Sequence, residues 1–329
     1  MACANLTREE KRKEYNYDFS KAQDTHQDLV HGLTGYGIPF FDHKIDISDI
    51  KSHLHDTWDR LIYAAKVIPS TSAEHDRLVT LISTVRELGT FTRARKNENG
   101  LEEVEEAKLP TSQRLWTDLP YLAQDIQAFW INEFANLGSE EKESLATFTA
   151  KLCASGICSA ELAQCALWLF KTTLETESSS DTQANMSSLL PALLQWMKHS
   201  NHKLISLCVG KSSPSRSAAL DSSVTSPGLL AKEAQVSSEG LSVERWLFWR
   251  RRLGELYLTG DPTVAKPARQ CFDVMALTGL DVGLNIPGEK KYLEKLFKAL
   301  DEELVTKRGG KGCVYPEDIE IDPAWATEG

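Results

Sequence analysis

The sequence predicts an all-α protein, a bundle of stacked helical hairpins with about eight or nine helices around a tryptophan-rich core. Three observations predict it. Apolar residues recur three and four positions apart through most of the chain. Capping and stopping residues flank those stretches. No stretch shows the alternation of apolar and polar residues that marks a strand, while eight Trp and eleven Phe supply a core.

The first helix is expected from Ser48, as N-cap, to about Val67 ahead of Pro69, with Ile50, Leu54, Trp58, Leu61, Ile62 and Ala65 on one face. Thr71-Ser-Ala-Glu74 reads as a capping box opening a second helix. That helix turns Leu78, Leu81, Ile82, Val85 and Leu88 inward and stops at Gly89. Residues 91–115 read as a charged connection. Asp118 then caps a helix with Pro120 in its first turn and Leu122, Ile126, Phe129 and Trp130 inward. Gly138-Ser139 separates it from a helix carrying Leu145, Phe148 and Leu152, which ends at Gly156. Ser159 caps a helix that is apolar on nearly every side, as expected at the centre of a bundle. An apolar stretch from Leu189 to Val209 follows. The last helices are expected at about 242–258, 262–278 and 287–306.

In this reading 46–306 is one helical domain. Residues 1–45 are a weakly structured extension and 307–329 a tail. The Ser-, Pro- and Gly-rich stretch 210–240 is a flexible insertion. Its Ser213-Pro214 and Ser226-Pro227 are possible sites of proline-directed phosphorylation.

Composition narrows the function classes. A net charge of −10 with scattered basic residues argues against nucleic acid as the partner. No apolar run approaches a membrane span, and no signal sequence stands at the N-terminus. The seven cysteines, odd in number and dispersed, fit reduced thiols in a cytoplasmic or nuclear protein.

Three stretches carry a family resemblance. They are Trp58-Asp-Arg-Leu-Ile-Tyr-Ala-Ala-Lys with His75-Asp-Arg-Leu-Val, Leu145-Ala-Thr-Phe-Thr-Ala-Lys-Leu152, and Ala166-Leu-Trp-Leu-Phe-Lys-Thr-Thr-Leu-Glu175. Together with Glu244-Arg-Trp-Leu-Phe-Trp-Arg250 they resemble a large ascomycete family of helical proteins known only as a domain of unknown function. The similarity spans roughly 48–305 without the Ser-rich stretch. Lys142-Glu143-Ser144 departs from the Trp and Asn usual there. The resemblance implies a fungal origin, a helical fold and, from the secondary-metabolite genes that neighbour some members, a connection with small molecules. It implies no catalytic residues.

No nucleotide loop, HExxH or GxSxG is present, and Gly35-Tyr-Gly37 lacks the third glycine of a dinucleotide fingerprint. His53 and His55 project about 200° apart on a helix and cannot share an ion. Asp49, His53 and Asp56 share one side, where an exposed charged face accounts for them. Cys153, Cys158 and Cys165 lack zinc spacing and read as small core residues. Neither cofactor nor metal is expected.

The sharpest feature is charge on apolar stripes. Arg250 lies close to the stripe of Trp246, Trp249, Leu253, Leu256 and Tyr257, and Glu133 projects among Leu122, Ile126, Phe129 and Trp130. A charge so placed must be paired, reach solvent or line a cavity. Arg250 is expected to pair with a carboxylate, Glu133 first. The ligand or pocket candidates are Glu133, Trp130, Trp246, Trp249 and Arg250. The expected function is a module binding another protein or a small apolar ligand. The alternative is a cofactor-independent cyclase, isomerase or dehydratase of fungal secondary metabolism, with Glu133 as acid or base and Arg250 as anion stabiliser.

Overall fold

A computed structural model of the chain describes residues 22–96, 98–177, 180–210, 222–307, 318–320 and 322–326. The fold is all-α apart from one two-stranded hairpin. Contacts group the chain into two compact units, one reaching to Leu162 and the other running from Ala163.

The first unit begins with α1 (Ala22–Thr34) and α2 (Gly37–Phe41), inside the segment expected to be weakly structured. Leu29, Leu33 and Phe40 are buried, too sparse a set to show as a stripe in sequence. Helix α3 (Ile47–Val67) is the first long helix, and its predicted inward face is buried throughout. Its N-cap is Asp46 rather than Ser48, and the Asp46 N–H donates to Asp49 Oδ2 at 3.1 Å.

Helix α4 (Glu74–Glu87) starts at Ala73, with Ser72 Oγ accepting the Glu74 N–H in place of the expected capping box. Gly89 takes φ +76° and ends it as expected, whereas Leu88 is 46% exposed rather than inward.

Residues 91–115 correct the expectation of a strandless chain. Strands β1 (Thr92–Lys96) and β2 (Glu102–Glu106) pair antiparallel, placing Arg93 opposite Glu105, Arg95 opposite Glu103 and Lys96 opposite Glu102. Opposite charge, not alternating hydrophobicity, sets this register, so a search for apolar alternation passes over it. Arg93 fixes the hairpin to its surroundings. It donates to Glu105 at 2.6 Å, Asp46 at 3.0 Å, and the Phe40 and Ile45 carbonyls at 3.1 and 3.2 Å.

Asp118 does not cap the next helix; it accepts from the Arg114 backbone N–H at 2.8 Å and from its guanidinium. Helix α5 (Leu122–Asn132) starts after Tyr121, whose φ is +66°. Pro120 precedes it and accepts the Trp58 indole N–H at 2.8 Å. Helix α6 (Ser139–Ala154) opens where predicted, with the Gly138 N–H on Glu141 at 3.0 Å, and ends ahead of Gly156 at φ +90°.

Helix α7 (Ser159–Leu174) leads into the second unit and is buried at Ala166, Leu167, Leu169, Phe170 and Leu174. The Ser159 hydroxyl donates back to the Cys153 carbonyl at 2.7 Å. The second unit continues through α8 (Ser180–Val209), which starts earlier than Leu189 and so encloses Pro191. Next come α9 (Ser222–Thr225), α10 (Leu229–Glu233), α11 (Val243–Tyr257), α12 (Pro262–Asp281) and α13 (Glu289–Lys307). Helix α12 packs on both α8 and α11. A short 3₁₀ turn, Pro323–Ala326, lies against α11 and α13. Among the described residues no helix is long and apolar enough to cross a membrane.

Candidate functional site

Helix α11 lies in the second unit. It is capped by Ser242, whose hydroxyl accepts the Arg245 N–H at 3.2 Å, and it buries Trp246, Trp249 and Leu253. Two arginines on this helix are also buried, and they meet different surroundings.

Arg245 is fully buried and pairs with the equally buried Glu175 at the end of α7. Its Nε donates to Glu175 Oε1 and its Nη2 to Oε2, both at 2.9 Å, the two-pronged geometry that suits a carboxylate. Glu175 also accepts the Trp249 indole N–H at 2.7 Å and the Gly228 N–H at 2.5 Å. A Cβ on Gly228 would stand 2.6 Å from Glu175 Cβ, so glycine permits that approach. Arg245 Nη1 grips the Thr225 and Gly240 carbonyls at 2.8 and 3.0 Å. Burial pulls the Arg245 pKa down and the Glu175 charge works against that pull. One ion pair thereby closes residues 225–240 into an anchored segment, although the sequence suggests a flexible insertion.

Arg250, 3% exposed, has no carboxylate partner among the described residues. Its Nη2 donates to the Pro287 and Ala326 carbonyls at 2.6 and 2.5 Å. Nη1 is buried with no acceptor among the described residues. Burial lowers the Arg250 pKa, opposed by the charge of Glu289. Glu289 begins α13, is 1% exposed, and accepts the Gly279 N–H at 3.2 Å on Oε1, leaving Oε2 unpaired among the described residues. Desolvation raises its pKa to about 7. Arg250 lines an open cleft of about 320 Å³ whose apolar wall includes Val236, Leu247, Phe248 and Pro287. At its rim the Arg251 guanidinium lies over the Phe248 ring, 5.6 Å from the centroid.

The expected pairing of Arg250 with Glu133 is therefore corrected. Arg250 takes backbone carbonyls of its own unit, and Glu133 ends α5 in the first unit, half-buried. Carbonyl acceptors come from chain turns, which side-chain periodicity cannot reveal. Trp130 is buried in the first unit, stacked on Phe134 at 4.0 Å and donating to Thr149 at 3.3 Å. Trp246 is buried with its N–H unpaired among the described residues. Trp249 serves Glu175. Of the five candidates, Arg250 is the one that lines the cleft.

Arg245 and Glu175 were missed, yet a signal existed. Arg245 precedes Trp249 by four residues and so shares its apolar face by the argument that singled out Arg250. In the first unit, His55 rather than His53 meets an acid, with Nδ1 2.7 Å from Asp125 and the ring against Tyr121. Cys153 and Cys165 are buried thiols, and burial raises the half-buried Cys158 to about 11. Ser213 lies outside the described residues. Ser226 is half-buried, and its carbonyl accepts from Lys171 Nζ at 2.7 Å.

A curated protein of Penicillium oxalicum (strain 114-2 / CGMCC 5302), named oxopyrrolidines biosynthesis cluster protein G, is 27% identical over 288 residues. The match covers 80% of this chain and 75% of that protein. No solved structure matches significantly. A family model described as "Protein of unknown function (DUF3632)" matches residues 58–253, a span that contains Trp58, Glu175, Arg245 and Arg250. The chain belongs to the DUF3632 family.

Proposed function

We propose that this protein is a non-catalytic helical binding module that holds a small, mainly apolar molecule in the Arg250 cleft. One observation carries the reading: a buried guanidinium lines a cleft with one of its nitrogens lacking an acceptor among the described residues. An unmet buried donor costs free energy, which a bound acceptor would relieve. The apolar wall and the volume match the lower end of small-molecule sites. The name of the Penicillium relative refers to an oxopyrrolidines biosynthesis cluster, which supports a small molecule over a polypeptide.

Native mass spectrometry of the full chain, gently purified from its own host, tests the reading. A reproducible small-molecule adduct that disappears in Leu247→Trp, which fills the cleft wall, is expected. A clean apo protein, or a complex with another polypeptide, would count against it.

The second reading, a cofactor-independent cyclase, isomerase or dehydratase, draws support from Glu289, a carboxyl raised to about 7 in the same unit as Arg250. Turnover of the captured compound, lost in Glu289→Gln while its adduct persists, would favour this reading over pure binding.

A further inference from the structure

We infer that the Arg250 cleft selects its ligand by a carboxylate, so that the ligand class is a compact apolar monocarboxylate. The inference rests on the cleft being a binding site and specifies what that site recognises. Nη2 of Arg250 is committed to two carbonyls, at 2.6 and 2.5 Å, and these fix the plane of the guanidinium. Nη1 remains without an acceptor among the described residues. The two carbonyls supply dipoles but no formal charge, and Glu289 acts on Arg250 through space without forming an ion pair among the described residues. A formal cation held in low dielectric gains more from an anion than from a neutral acceptor.

The remaining charges of the cleft point the same way. Arg251 adds a second cation at the rim, held over the Phe248 ring. Glu244 is the acid among the lining residues, and its carboxylate already accepts the Ser238 hydroxyl at 2.7 Å. Leu247, Phe248 and Val236 offer an apolar wall for the body of the molecule. At about 320 Å³ the space suits a molecule with a single ring and a short chain.

Matched probes test the inference on the wild-type chain. Titration calorimetry with 4-phenylbutyrate and with its neutral isostere 4-phenylbutanamide is expected to show about tenfold tighter binding of the acid. That preference should collapse in Arg250→Lys, which keeps a charge but loses the planar fork. Leu247→Trp should abolish binding of both. Equal affinity for acid and amide, still sensitive to Leu247→Trp, would overturn carboxylate selection while leaving the cleft as a site. No heat from either probe, or binding that ignores Leu247→Trp, would overturn the cleft reading and the inference with it.

Discussion

Arg245 and Arg250 lie on one helix, five positions apart, and differ in what neutralises them. Arg245 meets a carboxylate in two-pronged contact, and each oxygen of that carboxylate has a further donor. Removing one member of such a pair leaves a bare buried charge. Arg245→Met alone should therefore cost about 3–5 kcal/mol in urea unfolding of the second unit. Adding Glu175→Leu should recover only part of that loss. The Trp249 and Gly228 N–H groups would then lose their shared acceptor.

Glu289 makes the residue-scale case for pH. Its folded pKa, about 7, lies above its ordinary value of 4.5 because burial disfavours the anion. Arg250 opposes this from α11, as do the Gly279 and Leu280 backbone donors of α12, while Asp281 adds to it. A carboxyl whose pKa rises on folding stabilises the fold while protonated. That contribution is full below pH 4.5 and lost as pH climbs to about 7, up to about 3 kcal/mol. Glu289→Gln should flatten this slope, and the variant should be the more stable protein at pH 8. Chemical denaturation across the pH range measures both, and an unchanged slope would refute the assignment.

At the scale of elements, two segments that read as connections are held by buried guanidinium groups. Arg93 binds the β1–β2 hairpin to the chain around Asp46, and Arg245 closes 225–240. Arg93→Ala should speed amide exchange through 92–106 and cost about 1–3 kcal/mol, since its carbonyl partners lose a charged donor. If exchange in the hairpin stayed at the wild-type rate, that role would fall. The second latch bears on Ser226. Pro227 and Gly228 are buried beside it, and Gly228 is tied to Glu175, so a kinase needs the segment released before it can bind. A proline-directed kinase in vitro should therefore modify Ser226 faster in Arg245→Met than in wild type, as read by phosphopeptide mass spectrometry. Equal rates would show that the latch does not protect it.

For the whole molecule, the two units should respond to acid in opposite directions. His75 in the first unit is fully buried, with its Nε2 3.1 Å from the Ile68 carbonyl. Burial lowers its pKa to about 4, with Lys151 lowering it further and Asp76 opposing. A histidine held neutral on folding contributes stability above pH 6.5 that is lost as pH falls toward 4. Over the same range Glu289 gains in the second unit. Amide exchange at pH 5 and pH 7.5, corrected for intrinsic rates, should show the first unit loosening in acid while the second tightens. Parallel changes in both would contradict the two assignments.

The sequence by itself determined the helices and their inward faces. Ile50, Leu54, Trp58 and Ile62 are buried as their spacing requires, and α11, α12 and α13 begin and end within a few residues of the predicted limits. Helix periodicity is local, so it survives in one dimension. Arg250 could also be picked out, because a charge on an apolar stripe is a local contradiction. Only the tertiary structure decided what resolves that contradiction: the Pro287 and Ala326 carbonyls for Arg250, and Glu175, 70 positions away, for Arg245. It also decided the hairpin, whose register rests on opposite charges across a turn, and the anchoring of 225–240. A buried polar group must find some partner, but which partner depends on the packing of distant segments, and side-chain spacing holds no record of that.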